Sequence, residues 1–170
     1  MKAILRLRRC ARRPDSFSGF FFVMFCLFTT TNPLHVSNAQ TPQYYNYNTI
    51  TETNSFPFNI DLGKQVQLLY LAGDFSQPTP APAGTIVSLS FIMAEDLGPY
   101  TYSDMVIKVG QTDISVFDPG VWYTGQLDTP YYRPSVIHSG IAGQWLTIQL
   151  DRPFAYNPDQ GLIVELMIFG

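Results

Sequence analysis

In "TIVSLSFIM", residues 85–93, apolar and small polar side chains alternate with a period of two. Successive side chains of an extended strand point to opposite faces, so this run reads as a strand with one face in a core. Val87, Leu89, Phe91 and Met93 share one face, and Ser88 and Ser90 the other. The same period returns in "KQVQLLYLA" (64–72), "MVIKVG" (105–110), "QWLTIQL" (144–150) and "LIVELMIF" (162–169). Val87, Leu89, Phe91, Ile107, Leu146, Ile148 and Val164 are therefore expected in the core. Shorter strands are predicted at "DISVF" and "VWYTG", which flank the turn Asp118-Pro119-Gly120, and at "SVIH". No stretch of a dozen residues carries a helical period. Thirteen prolines and twelve glycines punctuate the chain at the spacing of short strands. The expected fold is all-β, an antiparallel two-sheet sandwich of jelly-roll type.

The last run is apolar on both faces. Leu162, Val164, Leu166 and Ile168 alternate with Ile163, Met167 and Phe169, relieved by Glu165. Edge strands are usually blunted by charge, proline or a bulge. This run therefore reads as a strand to be covered and paired on both sides. The sandwich is expected to be incomplete at its C-terminus, lacking closing strands, and to self-associate through this strand.

The N-terminus has a different composition. Lys2, Arg6, Arg8, Arg9, Arg12 and Arg13 precede an apolar run at 17–28, and a polar stretch ends in Ser37-Asn38-Ala39. Basic, apolar and small-residue regions in that order form a secretory signal, with cleavage before Gln40. The apolar run is shorter than the roughly 20 residues a membrane-spanning helix needs. A bacterial lipoprotein needs a small residue before its lipidated cysteine, and Phe25 precedes Cys26. The expected division is a signal peptide at 1–39, an extended polar leader at 40–58 that adds at most a strand, and a β-sandwich domain at 59–170. The expected location is secreted or at the cell surface, with no membrane insertion once the signal is cleaved.

Cleavage changes the charge. Of the ten Lys and Arg, Lys64, Lys108, Arg133 and Arg152 remain, against every Asp and Glu except Asp15. Such a field repels polyanions, and no basic cluster is present, so nucleic acid is not an expected partner. Cys10 and Cys26 both lie in the signal, so the exported domain relies on its core rather than on disulfides.

Several phrases occur together: "FPFNIDLGKQVQLLYLAGDF", "PAPAGTIVSLSFIMAE", "YSDMVIKVGQTDISVF", "VWYTGQLDTPYYRPSV" and "GQWLTIQLDRPFAYNPDQGLIVEL". The combination resembles an N-terminal module of large secreted Bacteroidota proteins, which often carry a type IX secretion sorting domain. The resemblance spans roughly residues 44–166. It implies a β-sandwich of unknown or adhesive role and supplies no functional residues. This chain departs from it in having no sorting domain, and in carrying only "MIFG" after "LIVEL" where further strands are expected.

The chemistry-bearing residues are few. His138 is the sole histidine after the signal, no G-x-S-x-G elbow is present, and no cysteine remains for a thiol nucleophile. His138 is expected at a strand end or turn. Glu95, Asp96, Asp104, Asp113 and Asp118 stand in no glycosidase motif, and most fit turn capping. No cofactor is implied. Zn²⁺ would want His and Cys, so the conceivable metal is Ca²⁺, held by Glu95, Asp96 and Asp104 in "AEDLGPYTYSD". The candidate ligand-binding residues are aromatic: Trp122, Tyr123, Tyr131 and Tyr132 in a turn-rich segment, and Trp145 on the polar face of its strand. Such rings stack on sugar faces. A leader strand covering Trp145 is the competing reading. The function expected is a non-catalytic extracellular or cell-surface interaction module, binding glycan or protein. The alternatives are an accessory domain or remnant of a secreted hydrolase, and a truncated fragment with no independent function.

Overall fold

The computed structural model describes residues 3–7, 41–46, 57–59 and 63–169. Most of the expected signal and of the polar leader lies outside the described residues. Eight strands are present among them: β1 (Ala3–Leu7), β2 (Tyr44–Tyr45), β3 (Lys64–Tyr70), β4 (Gly84–Ile92), β5 (Leu97–Thr112), β6 (Asp128–Gly140), β7 (Trp145–Tyr156) and β8 (Gly161–Ile168). They form two four-stranded antiparallel sheets, ordered β2-β1-β4-β7 and β3-β8-β5-β6. Ala3–Leu7, assigned by sequence to the signal, thus fills an inner place of the first sheet. Tyr44–Tyr45 is the strand anticipated in the leader.

The two sheets share one apolar core. β4 and β7 contribute Ile86, Leu89, Phe91, Leu146, Ile148 and Leu150, while β5 and β8 contribute Ile107, Val109, Leu162, Val164, Leu166 and Ile168. Six of the seven expected core residues are buried; Val87 is not. The β4–β7 register is interrupted between Ile86 and Ser88. A bulge of this kind shifts side-chain parity, so Ile86 takes the inward place and Val87 is left half-buried. The residues opposite this break, 150–153, include Pro153, which cannot donate to a ladder. There β7 leaves β4 and meets β6. Arg133 donates two hydrogen bonds of 2.7 Å to the Asp151 carboxylate, and Arg152 donates one of 2.6 Å to Thr129 O. This clasp joins the sheets along one side.

Two phenylalanines plug the ends. Phe58 packs edge-on against Phe91 of β4 at 5.3 Å and Tyr102 of β5 at 6.1 Å, and Tyr102 OH donates to Phe58 O at 2.9 Å. Phe75, just past β3, packs between Tyr70 at 5.2 Å and Tyr156 at 6.1 Å. After Phe75 the proline loop runs over the surface, with Pro78, Pro80 and Pro82 exposed as their missing N–H groups favour.

Three expectations are corrected. β5 begins at Leu97, not at Met105, because the stretch expected as a loop pairs with β6, Tyr100 opposite His138 and Tyr102 opposite Val136. "DISVF" and "VWYTG" are not strands: residues 113–127 form one irregular connection around a turn in which Val121 N donates to Asp118 O at 3.1 Å. β8 lies inside its sheet, between β3 and β5, with Gly161–Ile168 buried throughout. Its apolar faces are satisfied within the chain, so self-association through an unpaired β8 does not follow.

Candidate functional site

The outer face of the second sheet carries one polar row. Gln67 on β3, Glu165 on β8 and Lys108 on β5 stand opposite one another in register. Glu165 is 3 % exposed, and its carboxylate is met by Gln67 Nε2 on one side and Lys108 Nζ at 3.0 Å on the other. A buried charge needs such partners. Gln67 also holds the 113–127 connection. Its Oε1 accepts from Tyr123 N at 2.8 Å and its Nε2 donates to Tyr123 O at 3.1 Å. The amide thus pairs with one residue's main chain much as a neighbouring strand would. Gly110 permits the approach further along, for a Cβ there would lie 2.4 Å from Gln126 O.

Anchored at both points, the connection arches over the β3 edge and encloses a cleft of about 450 Å³. Gln65, Val66 and Gln67 line it from β3, and Phe117, Asp118 and Trp122 from the connection. Trp122 is 50 % exposed. A second hollow of about 420 Å³ shares Gln67 and Phe117 and continues past Tyr70 to Asp74 and Asn46. Consecutive β3 residues of both parities line the pair. The groove therefore follows the backbone edge of β3, which among the described residues pairs only with β8, on its other side. It offers an indole face, the exposed Gln65 amide, the Asp118 carboxylate and strand backbone. Among the described residues no cationic side chain lines either hollow.

The structure separates the aromatic set. Trp122 lines this cleft, and Tyr123 stands next to it, its main chain bonded to Gln67. Tyr131 and Tyr132 lie on β6, at the opposite edge of the sheet, within a strand rather than a loop. Tyr131 is 3 % exposed, with Arg133 stacked at 4.6 Å over its ring, and burial raises its hydroxyl pKa. Tyr132 is exposed and donates to Asp104 Oδ1 at 2.8 Å, a bond that raises its pKa. Trp145 is half-buried against Tyr45 of the leader strand, ring centroids 6.1 Å apart, which favours the covered reading.

The acidic set does not converge. Asp96 accepts from Ala142 N at 2.8 Å beside the start of β5. Asp104 lies eight residues further along that extended chain, roughly 25 Å away at the usual rise, and is bonded to Tyr132. Glu95 stands beside Asp96, exposed. Among the described residues no group of three His, Cys, Asp or Glu is placed to hold a metal ion.

His138 sits near the end of β6 against the rings of Phe58 and Tyr102, at 6.2 and 5.8 Å. Its Nε2 has no hydrogen-bond partner, and burial lowers its pKa to about 4. At neutral pH it is an uncharged ring packed on rings, with no nucleophile or carboxylate bonded to that nitrogen. The cleft had a partial sequence signal, the Trp122-Tyr123 pair beside a Pro-Gly turn; Gln67 had none, because its role depends on a contact 56 residues away. No family model, curated protein or solved structure matches this chain.

Proposed function

We propose that this chain is a non-catalytic interaction module, exported to the cell surface or medium, whose ligand site is the Trp122 cleft. The observation that carries the reading is a half-exposed indole and an exposed carboxylate on the anchored 113–127 connection, lining one cleft with an exposed amide of the β3 edge. A neutral glycan suits that chemistry. One sugar face stacks on the indole, and ring hydroxyls donate to Asp118 and exchange hydrogen bonds with Gln65. The acidic surroundings and the lack of lining cations disfavour anionic ligands. Exposed Val116 and Val121, at 70 % and 61 %, favour a second reading in which a protein surface covers the connection. A glycan array probed with the purified exported protein tests the first. Binding of neutral glycans should fall about tenfold or more in Trp122→Ala, the order expected for losing an aromatic stack with its buried area. Binding that survives Trp122→Ala and Asp118→Ala places the site elsewhere, and an array with no binding removes the glycan reading.

A further inference from the structure

β1 fills an inner place of the first sheet, yet it lies in the segment that the sequence marks for removal before Gln40. The two readings describe one chain before and after cleavage. Before it, Ala3–Leu7 runs antiparallel to β4, with Ala3 opposite Phe91, Ile4 opposite Ser90, Leu5 opposite Leu89 and, past an irregularity, Leu7 opposite Ile86. After it, that place has lost its strand. β4 pairs with β7 on its other side and would turn a free backbone edge outward along residues whose side chains form the core: Ile86, Leu89 and Phe91 are at most 2 % exposed. β2 does not close the gap. It is two residues long, and its pairings are with β1 and, through Tyr45, with Gln77.

A free edge at this depth leaves N–H and C=O groups without partners beside an apolar core, and an added strand satisfies both. We propose that the place beside β4 in the exported protein accepts an extended, alternating apolar segment from a separate polypeptide, docked antiparallel by strand addition. Directly opposed residues of paired strands share a face. The segment therefore needs apolar residues opposite Ile86, Leu89 and Phe91, as the register positions of Leu7, Leu5 and Ala3 have, and tolerates polar ones between. This rests on the export reading and on cleavage before Gln40. It does not use the Trp122 cleft as a premise.

The register supplies the test. Protein beginning at Gln40 contains no cysteine, since Cys10 and Cys26 lie upstream. Ser90→Cys is introduced into it, and a synthetic peptide of residues 1–9 with Ile4→Cys serves as the strand probe. Mild oxidation should give a disulfide-linked complex, while a peptide carrying Leu5→Cys gives at least tenfold less. The unsubstituted peptide should raise the protein's Tm. Equal cross-linking by both peptides, or by neither, overturns the proposal. If protein beginning at Gln40 does not fold, the full chain carrying Ile4→Cys, Ser90→Cys, Cys10→Ser and Cys26→Ser should form the same link internally, and its failure to do so also overturns it. A stable dimer that the peptide cannot dissociate makes the occupant a second copy of this chain and refutes the separate partner. N-terminal sequencing of exported protein reports on the premise: material starting at Met1 keeps its own strand in place, and the proposal fails while the cleft reading stands.

Discussion

Replacing Lys108 by methionine should destabilise the protein by about 2–3 kcal/mol. Glu165 sits on a strand buried on both faces, and its side chain is 4 % exposed. Lys108 Nζ, 3.0 Å away, is its cationic partner. Removing one member of a fully buried pair typically costs about 3–5 kcal/mol, because the other charge is left in a poorly solvated place. The lysine side chain is 33 % exposed, so water already screens the pair from that side, and the lower end of the range is appropriate. Gln67 still donates to the carboxylate, which limits the loss further. The assay is the urea midpoint of Lys108→Met, of Glu165→Leu and of the double variant, at constant m-value. Removing both charges leaves no unpaired ion, so the double variant should recover to within about 1 kcal/mol of the parent. A Lys108→Met protein that unfolds at the parental midpoint would show that water reaches Glu165. A double variant no more stable than the worse single one would refute the coupling between the two charges.

Two further outcomes are expected. Phe91→Ala should cost about 3–5 kcal/mol in thermal or urea unfolding, since Phe91 is 2 % exposed and also loses its edge contact with Phe58; Val87→Ala, at the bulge, should cost well under half as much, and equal losses would mean the bulge is misplaced. His138 has a folded pKa lowered from 6.5 to about 4, so its contribution is complete above pH 6.5 and is lost as pH falls toward 4, by up to about 3 kcal/mol; His138→Phe should remove that part of the pH slope, and an unchanged slope would assign it to other groups.

How much of this could be read from the chain depends on how far each residue acts beyond its own strand. Period two located Leu89, Phe91, Leu146, Ile148 and Val164 in the core, because one buried face imposes that alternation. The same rule failed at Val87, where a bulge flips the parity and no local residue announces it. The apolar faces of β8 correctly indicated a strand covered on both sides, but not that β3 and β5 are its neighbours. Residues 97–104 looked like a loop because Gly98, Pro99 and Asp104 break the pattern. They hold as strand because they pair with β6 despite irregularities, and Asp104 takes a φ of 46°. The "DISVF" and "VWYTG" runs failed for the opposite reason. They alternate like strands but find their main-chain partners partly in a side chain, Gln67, rather than in a ladder. The candidate site followed suit: Trp122 was legible as an exposed aromatic, and the groove it faces was not.

The fold places both proposed recognition surfaces at one side of the molecule. The β6–β7 side is fastened by Arg133 and Asp151, a pair in which each group shifts the other's pKa toward its charged form through their hydrogen bonds. The ends are filled by Phe58 and Phe75. What remains is the side formed by β3 in one sheet and by β1 and β2 in the other. There the backbone is least committed among the described residues, for β3 pairs with β8 alone and β2 has two residues. Tyr45 connects the two features: it pairs with Ile4 of β1 and, through Gln77, with the segment that follows β3. Asn46, its neighbour, lines the hollow beside Tyr70. A strand entering or leaving beside β4 therefore bears on the residues that close the far end of the β3 groove, and two proposed recognition surfaces meet at one short strand. The described residues draw their stability from elsewhere: the β8 strand buried between two neighbours, the aromatic end plugs, and the charge row under the 113–127 connection.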